Sequence, residues 1–130
     1  MVIRGRLVRG LGEAPGFTQL PWVVEQCRQK LGFEPFPGTV NLEVLAEDLE
    51  LWRALKAEPG GAVLVPPDPA FCDAICQPVT VEGTLAAATI TPHVADYPAD
   101  KLELLAPCSV VQALGLSLGQ MVAVTSRPGR

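Results

Sequence analysis

Apolar and polar positions alternate along several short stretches of the chain, and this pattern predicts a mainly β fold. In the clearest stretch the apolar residues Val40, Leu42 and Val44 occupy every second position, which is the period of a half-buried strand. Thr39 and Asn41 then share the opposite, solvent-facing side of that strand. Similar patterns predict strands over residues 2–9, 62–65, 71–77, 79–90, 102–105 and 121–124, and the stretch 79–90 is expected to turn near Glu82-Gly83.

Apolar residues recur with the spacing of a helix in three short segments. In the first, over residues 21–31, Val23, Cys27 and Leu31 fall on one face of a helix. Two shorter helices are predicted over residues 46–55 and 107–114, the second opened by Pro107 and closed by Gly115. Because these helices do not alternate regularly with strands, a parallel α/β sheet is disfavoured. We therefore expect a small β-barrel of about six strands with two or three short helices.

The composition is that of one globular domain spanning residues 1–130. Of the 130 residues, 48% are hydrophobic and 5% aromatic, enough to form a core without disulfides or metals. The net charge of -4 and the pI near 4.9 give no positive field for nucleic acid phosphates or an anionic membrane. No apolar stretch has the length of a membrane helix, and residues 1–6 lack the apolar core of a signal peptide. We therefore expect a cytoplasmic protein with no nucleic acid or membrane partner.

The four cysteines are expected to be reduced thiols. Cys27, Cys72, Cys76 and Cys108 are unevenly spaced in a chain too long for a disulfide-framed mini-domain. Cys72 and Cys76 could join His93 in a metal site, but no second paired motif accompanies them. Buried free cysteine, which packs as a small hydrophobe, is the favoured interpretation.

Two segments carry groups suited to phosphate chemistry. Residues 10–17 contain three glycines directly after the first predicted strand. The bare backbone N–H groups of such a loop can cradle phosphate oxygens, although a plain glycine-rich turn is the alternative. Thr39 and Asn41 offer two oxygen ligands of the kind that Mg²⁺ takes, completed by phosphates and water. Pro35 and Pro37 stiffen the chain just before them, although such a segment could serve stability alone.

A third candidate is Glu103, a lone carboxylate in the otherwise apolar run 102–106. If it is buried, this group must be paired or functional. On a half-exposed strand it could instead be solvated, and the sequence favours neither interpretation.

These segments occur in an order that resembles the archaeal-type CTP-dependent riboflavin kinase family over essentially the whole chain. The most specific part is residues 32–41, which read Gly-Phe-Glu-Pro-Phe-Pro-Gly-Thr-Val-Asn. The glycine loop precedes it, and residues 97–107 and 113–122 follow it. The resemblance implies a cradle-loop β-barrel that transfers the γ-phosphate of CTP to the primary ribityl hydroxyl of riboflavin, giving FMN and CDP.

The resemblance also implies roles for the matching residues. Thr39 and Asn41 would be ligands of the cofactor Mg²⁺. Glu103 would contact the flavin and could accept the proton of its hydroxyl group. The family threonine that touches the flavin corresponds to Ala95 in this chain. The nucleotide would be bound by Gly10, Leu11, Gly12, Glu13, Ala14, Pro15, Cys108, Ser109, Val110 and Val111.

Three departures from the family pattern keep alternatives open. Ala14-Pro15 stands where the family has a second glycine after the glutamate, and proline has no backbone N–H. Ala95 replaces the threonine, and Val111 replaces an arginine expected near the nucleotide phosphates. A non-catalytic or altered-substrate binder of flavin or nucleotide is the second hypothesis, and a structural or partner-binding barrel is the third.

Overall fold

Six antiparallel strands close into a β-barrel. The computed structural model describes residues 1–10 and 14–127. In the order in which they pair around the barrel, the strands are β1 (Val2–Val8), β2 (Val40–Val44), β7 (Lys101–Leu105), β6 (Leu85–Pro92), β5 (Pro78–Val81) and β8 (Met121–Ser126), which returns to β1. Two further strands, β3 (Ala62–Leu64) and β4 (Ala74–Cys76), extend the sheet from the C-terminal end of β6. The predictions of a mainly β fold and a small barrel are confirmed.

Short helices connect the strands. The helix predicted over residues 21–31 and its end at Gly32 are confirmed by the structure. Residues 14–18, for which the sequence predicted only a loop, form a further short helix. Within the described residues, no helix combines the length and the apolar character needed to cross a bilayer. The helices are α1 (Ala14–Thr18), α2 (Pro21–Leu31), α3 (Leu49–Lys56), which follows a 3₁₀ turn (Ala46–Asp48), and α4 (Val110–Leu114).

One apolar cluster fills the barrel interior. Ile3 of β1 and Leu42 of β2 are buried there, as the alternation in the sequence predicted. Trp52 of α3 is fully buried in the same cluster and donates its Nε1–H to the carbonyl oxygen of Lys101 at 3.1 Å. This hydrogen bond ties α3 to β7, the strand that carries Glu103.

A second apolar cluster contains residues of α2, β3 and β4. Cys27 and Cys76 are both buried in it. Burial raises the pKa of the Cys27 thiol to about 11 and that of the Cys76 thiol to about 12, so both thiols stay protonated at neutral pH. The interpretation as buried hydrophobes is confirmed for these two, whereas Cys72 is exposed. The described part of the chain contains no group of three or more histidine, cysteine or acidic side chains that could hold a metal.

The strand predicted over residues 71–77 is shorter in the structure. It begins only at Ala74, because Phe71 belongs to a turn in which its N–H donates to the carbonyl oxygen of Asp68 at 3.1 Å. The Phe71 side chain is 68% exposed. The predicted start of the strand at Phe71 is therefore wrong, since apolar character alone does not distinguish a strand from a turn.

Asp48, which directly precedes α3, is expected to make folding sensitive to acid. Its carboxylate accepts hydrogen bonds from the backbone N–H and the guanidinium of Arg4 at 2.8 to 3.2 Å. These bonds hold the pKa of Asp48 below its ordinary value of 3.8. The stabilisation is therefore present above about pH 4 and is lost as the pH falls through the folded-state pKa.

We expect Asp48→Asn to unfold at a lower temperature than the wild type at neutral pH. It should also lose less stability than the wild type between about pH 4 and pH 2. Thermal unfolding across this range measures both effects, and parallel pH profiles of the two proteins would contradict the prediction.

Candidate active site

Three polar residues singled out in the sequence meet on the side of β2 and β7 that points away from the barrel interior. Asn41 lies opposite Glu103 in the register of the two strands, and Thr39 directly precedes β2. The Thr39 hydroxyl donates to Glu103 Oε1 at 3.4 Å. The Asn41 Nδ2 atom lies 3.4 Å from the Thr39 hydroxyl oxygen. The antiparallel pairing of β2 and β7 thus joins side chains as much as 64 residues apart in the sequence.

Glu103 is paired rather than solvated. Its side chain is 17% exposed, and Tyr97 donates its hydroxyl hydrogen to Oε2 at 2.8 Å. Lys101 Nζ lies 3.8 Å from Oε1. Burial, followed by the adjacent carboxylate, raises the pKa of Tyr97 well above its ordinary value, so the phenol keeps its proton and remains a donor. Of the two interpretations that the sequence left open, the structure favours the paired carboxylate.

The proline-rich segment before Thr39 is anchored from two sides. The Phe36 N–H donates to the carbonyl oxygen of Ala106 at 2.8 Å. The Gly38 N–H donates to the Thr18 hydroxyl, at the end of α1, at 2.9 Å. Gly38 has a φ of 97°, which glycine adopts without the steric cost that other residues incur. Thr39 is therefore held in a fixed position directly before β2.

Asn41 is buried, although the alternation in β2 predicted a solvent-facing side chain. Its exposed fraction is 7%, and the chain that follows β1 passes directly over it. A Cβ atom at Gly10 would lie 2.5 Å from Asn41 Nδ2, which is inside van der Waals contact. Glycine at this position is explained by the close approach, independently of any phosphate.

Two cavities share residues 37–39 in their walls. The larger has a volume of about 410 Å³, and the polar groups on its walls include Asn41, Lys101 and Glu103. The smaller, of about 140 Å³, is lined in part by residues 108–111. A ligand in either cavity would therefore lie against a wall that includes Thr39.

Most of the residues that the sequence assigned to the site lie on these walls. Ala95 is exposed in the loop before β7 and lines neither cavity, so its contact with a flavin stays a prediction. Leu11, Gly12 and Glu13 lie outside the described residues. The larger cavity is lined by Gly10, Ala14, Pro15, Thr39, Asn41 and Glu103, and the smaller by Thr39, Cys108, Ser109, Val110 and Val111.

The structure adds two residues to which the sequence assigned no role. Lys101 lines the larger cavity, and Tyr97 binds the Glu103 carboxylate. Lys101 stands two positions before Glu103 on the same face of β7, but the strand predicted from the sequence began one residue later, at position 102. Tyr97 lies in a loop without a repeating pattern, and only the folded chain brings it to the carboxylate.

Thr39 and Asn41 have donor atoms that fit a magnesium ion. Rotating the Asn41 amide by 180° exchanges its nitrogen and oxygen, which would bring Oδ1 close to where the nitrogen now lies, 3.4 Å from the Thr39 hydroxyl. Two oxygen ligands at neighbouring octahedral positions of Mg²⁺ are about 3 Å apart. The nearby Glu103 carboxylate adds negative charge. The pair therefore suits a cation that shares its coordination with phosphates and water.

We expect Gly10→Ala to displace the Asn41 amide and weaken metal binding. Because the clash falls on the end of a side chain, the free energy of unfolding should change by only about 1 kcal/mol. Thermal unfolding and titration with Mn²⁺, followed by electron paramagnetic resonance, measure the two effects. Gly16→Ala is the control, since no atom lies within 4 Å of its added Cβ. Unchanged Mn²⁺ affinity in Gly10→Ala would contradict the prediction.

Fold and site together define a class of protein: a small closed β-barrel with an open surface cavity, on whose wall Thr39 and Asn41 form an oxygen pair suited to a divalent cation. The chain belongs to the CTP-dependent riboflavin kinase family. The model of this family, which carries the description "Domain of unknown function DUF120", matches residues 7–125. The resemblance seen in the sequence is thereby confirmed.

Curated relatives with the name riboflavin kinase come from several archaea. The chain is 33% identical over 122 residues to the protein of Methanosarcina acetivorans, with 92% of this chain and 51% of that protein covered. The protein of Methanocella arvoryzae is 35% identical over 127 residues, with 95% and 56% covered. The protein of Archaeoglobus fulgidus is 32% identical over 124 residues, with 94% and 53% covered. The chain spans little more than half the length of these relatives.

Proposed function

We propose that this chain transfers the γ-phosphate of CTP to the primary ribityl hydroxyl of riboflavin in the presence of Mg²⁺, giving FMN and CDP. The bond between the γ-phosphorus and its bridging oxygen breaks, and the ribityl oxygen bonds to that phosphorus. The hydroxyl proton leaves to Glu103 or to water. The proposal is carried by the meeting of Thr39, Asn41 and Glu103 at two adjoining cavities, in a chain of this family.

The residues of the site suit phosphoryl transfer, which depends mainly on positioning and charge stabilisation. Glu103 is oriented by Tyr97 and Thr39, so its carboxylate can accept a hydrogen bond from the ribityl hydroxyl and orient the attacking oxygen. Backbone N–H groups near Gly10 would bind phosphate oxygens, and residues 108–111 would bind the rest of the nucleotide. Mg²⁺ bound at Thr39 and Asn41 would neutralise charge on the phosphate oxygens.

Incubation with riboflavin, Mg²⁺ and each of CTP, ATP, GTP and UTP tests the proposal. Chromatographic separation of FMN from riboflavin is the readout, and EDTA in place of Mg²⁺ is the control. We expect FMN with CTP and no FMN with EDTA. FMN with ATP alone would correct the donor, and no FMN with any nucleotide would overturn the proposal.

Binding of flavin or nucleotide without turnover is the second candidate function. It is favoured by two features of the cavity walls: Pro15 offers no backbone N–H, and Val111 brings an uncharged side chain to the smaller cavity. Calorimetry with riboflavin and with CDP distinguishes the candidates. Binding without FMN formation would identify a binder, and no binding of either molecule would leave a barrel with a structural or partner-binding role.

A further inference from the structure

Lys101 brings a positive charge to a defined position in the larger cavity. Its Nζ lies 3.8 Å from Glu103 Oε1, the oxygen that also accepts the Thr39 hydroxyl. The Lys101 side chain is only 28% exposed. Because water screens a partly buried charge less than a surface charge, this ammonium group would attract an anion in the cavity more strongly than an exposed lysine would.

Both ends of the Lys101 residue are held in place. Its backbone pairs with Glu43 in the register of β2 and β7, and its carbonyl oxygen accepts the Nε1–H of the buried Trp52. At the other end, the ammonium group lies 5.4 Å from the centre of the Tyr97 ring, within the range of a cation–π contact. The separation of 3.8 Å from Glu103 is too long for a hydrogen bond, so the ammonium hydrogens are not committed to that carboxylate.

The remaining walls supply little positive charge for a triphosphate. Residues 108–111 contribute a thiol, a hydroxyl and two valine side chains to the smaller cavity. Arg9 lines the larger cavity and is exposed, so water screens its charge more than that of Lys101. Among the described residues that line the two cavities, Lys101 is therefore the cation best placed beside Thr39.

We propose that Lys101 binds the phosphate group that is transferred, first as the γ-phosphate of the nucleotide and then as the phosphate of FMN. This inference rests on the proposed function. The lysine ammonium group interacts with phosphate as a point charge with three hydrogen-bond donors. The carboxylate of Glu103 and the ring of Tyr97 keep this charge close to the proposed metal-binding pair, Thr39 and Asn41. Lys101 thereby supplies a positive charge for the phosphates, which Val111, standing where an arginine was expected, does not provide.

Steady-state kinetics of FMN formation by Lys101→Met, Lys101→Arg and Lys56→Met test the inference. We expect Lys101→Met to lower kcat/KM for CTP by about 10- to 100-fold, since a hydrogen bond to a charged group is lost. Lys101→Arg should recover most of the rate, because arginine keeps the charge. Lys56→Met is the matched control, since Lys56 lines a different cavity. Unchanged kinetics of Lys101→Met, or no recovery in Lys101→Arg, would overturn the inference and leave the proposed function intact.

Calorimetry with β,γ-methylene-CTP and with CDP provides a readout that does not require turnover. In the wild type the triphosphate analogue should bind more tightly than CDP, and Lys101→Met should reduce this difference while CDP affinity stays nearly constant. An equal loss for both ligands would indicate a general structural effect and would contradict the inference. If the wild type forms no FMN, the proposed function fails, and this binding difference alone decides the role of Lys101. Absence of nucleotide binding would overturn both.

Discussion

Asn41→Ala is expected to lower kcat for FMN formation by at least about 100-fold, because loss of groups that support a bound metal already costs 10- to 100-fold. Alanine removes the amide that lies 3.4 Å from the Thr39 hydroxyl. Glu103, Tyr97 and Lys101 keep their contacts with one another in this variant. The lower kcat should therefore result from weaker metal binding, while the position of the Glu103 carboxylate stays unchanged.

Stability separates this effect from misfolding. Asn41 is buried, so its removal should lower the free energy of unfolding by about 1 kcal/mol, too little to unfold a domain. Steady-state kinetics over a range of Mg²⁺ concentrations, together with thermal unfolding, measure the two effects. Gln29→Ala, which removes an exposed amide of α2, is the control. A normal rate in Asn41→Ala would remove Asn41 from the mechanism.

Trp52→Ala is expected to lower the free energy of unfolding by about 3 to 5 kcal/mol, the usual cost of deleting a buried large aromatic side chain. Trp52 is fully buried in the barrel cluster, and its Nε1–H satisfies the carbonyl oxygen of Lys101. The variant would thus leave both a cavity and an unpaired carbonyl oxygen on β7. A loss of this size is a large fraction of the 5 to 15 kcal/mol typical of a domain.

Urea unfolding of Trp52→Ala, Trp52→Phe and Trp22→Ala measures this effect. Trp52→Phe keeps most of the volume and loses the N–H donor, so its smaller loss isolates the hydrogen bond. Trp22 is only partly buried, where its ring packs edge-on against Phe17 at 5.9 Å, and its removal should cost less. Equal losses in Trp52→Ala and Trp22→Ala would show that α3 does not anchor the barrel as described.

The strands with an alternating pattern and the helix with a regular apolar face were predictable from the sequence. Val40, Leu42 and Val44 marked β2 because the strand period of two repeats over several residues. Residues 21–31 marked α2 because its apolar face and its end at Gly32 agree. The run of short strands also indicated a small barrel, and the resemblance to a family added the cradle-loop type. The order in which the strands pair is not contained in any local pattern.

Features that depend on contacts between distant segments were not predictable. The burial of Asn41 results from the passage of Gly10 over β2, and the strand period alone placed that side chain in solvent. Helix α1 spans only five residues and includes a proline and a glycine, which gives no apolar periodicity to read. The approach of Tyr97 to Glu103 depends on how a loop folds back over β7.

A crystal structure of the protein with Mn²⁺, CDP and FMN would test most directly whether phosphoryl transfer takes place beside Thr39 and Asn41. We predict an anomalous peak for the metal about 2.1 Å from Thr39 Oγ1 and Asn41 Oδ1. The phosphate group of FMN should lie beside Lys101 Nζ, and the rest of the FMN molecule should contact Glu103. A metal ion bound elsewhere, with FMN and CDP outside both cavities, would contradict the account.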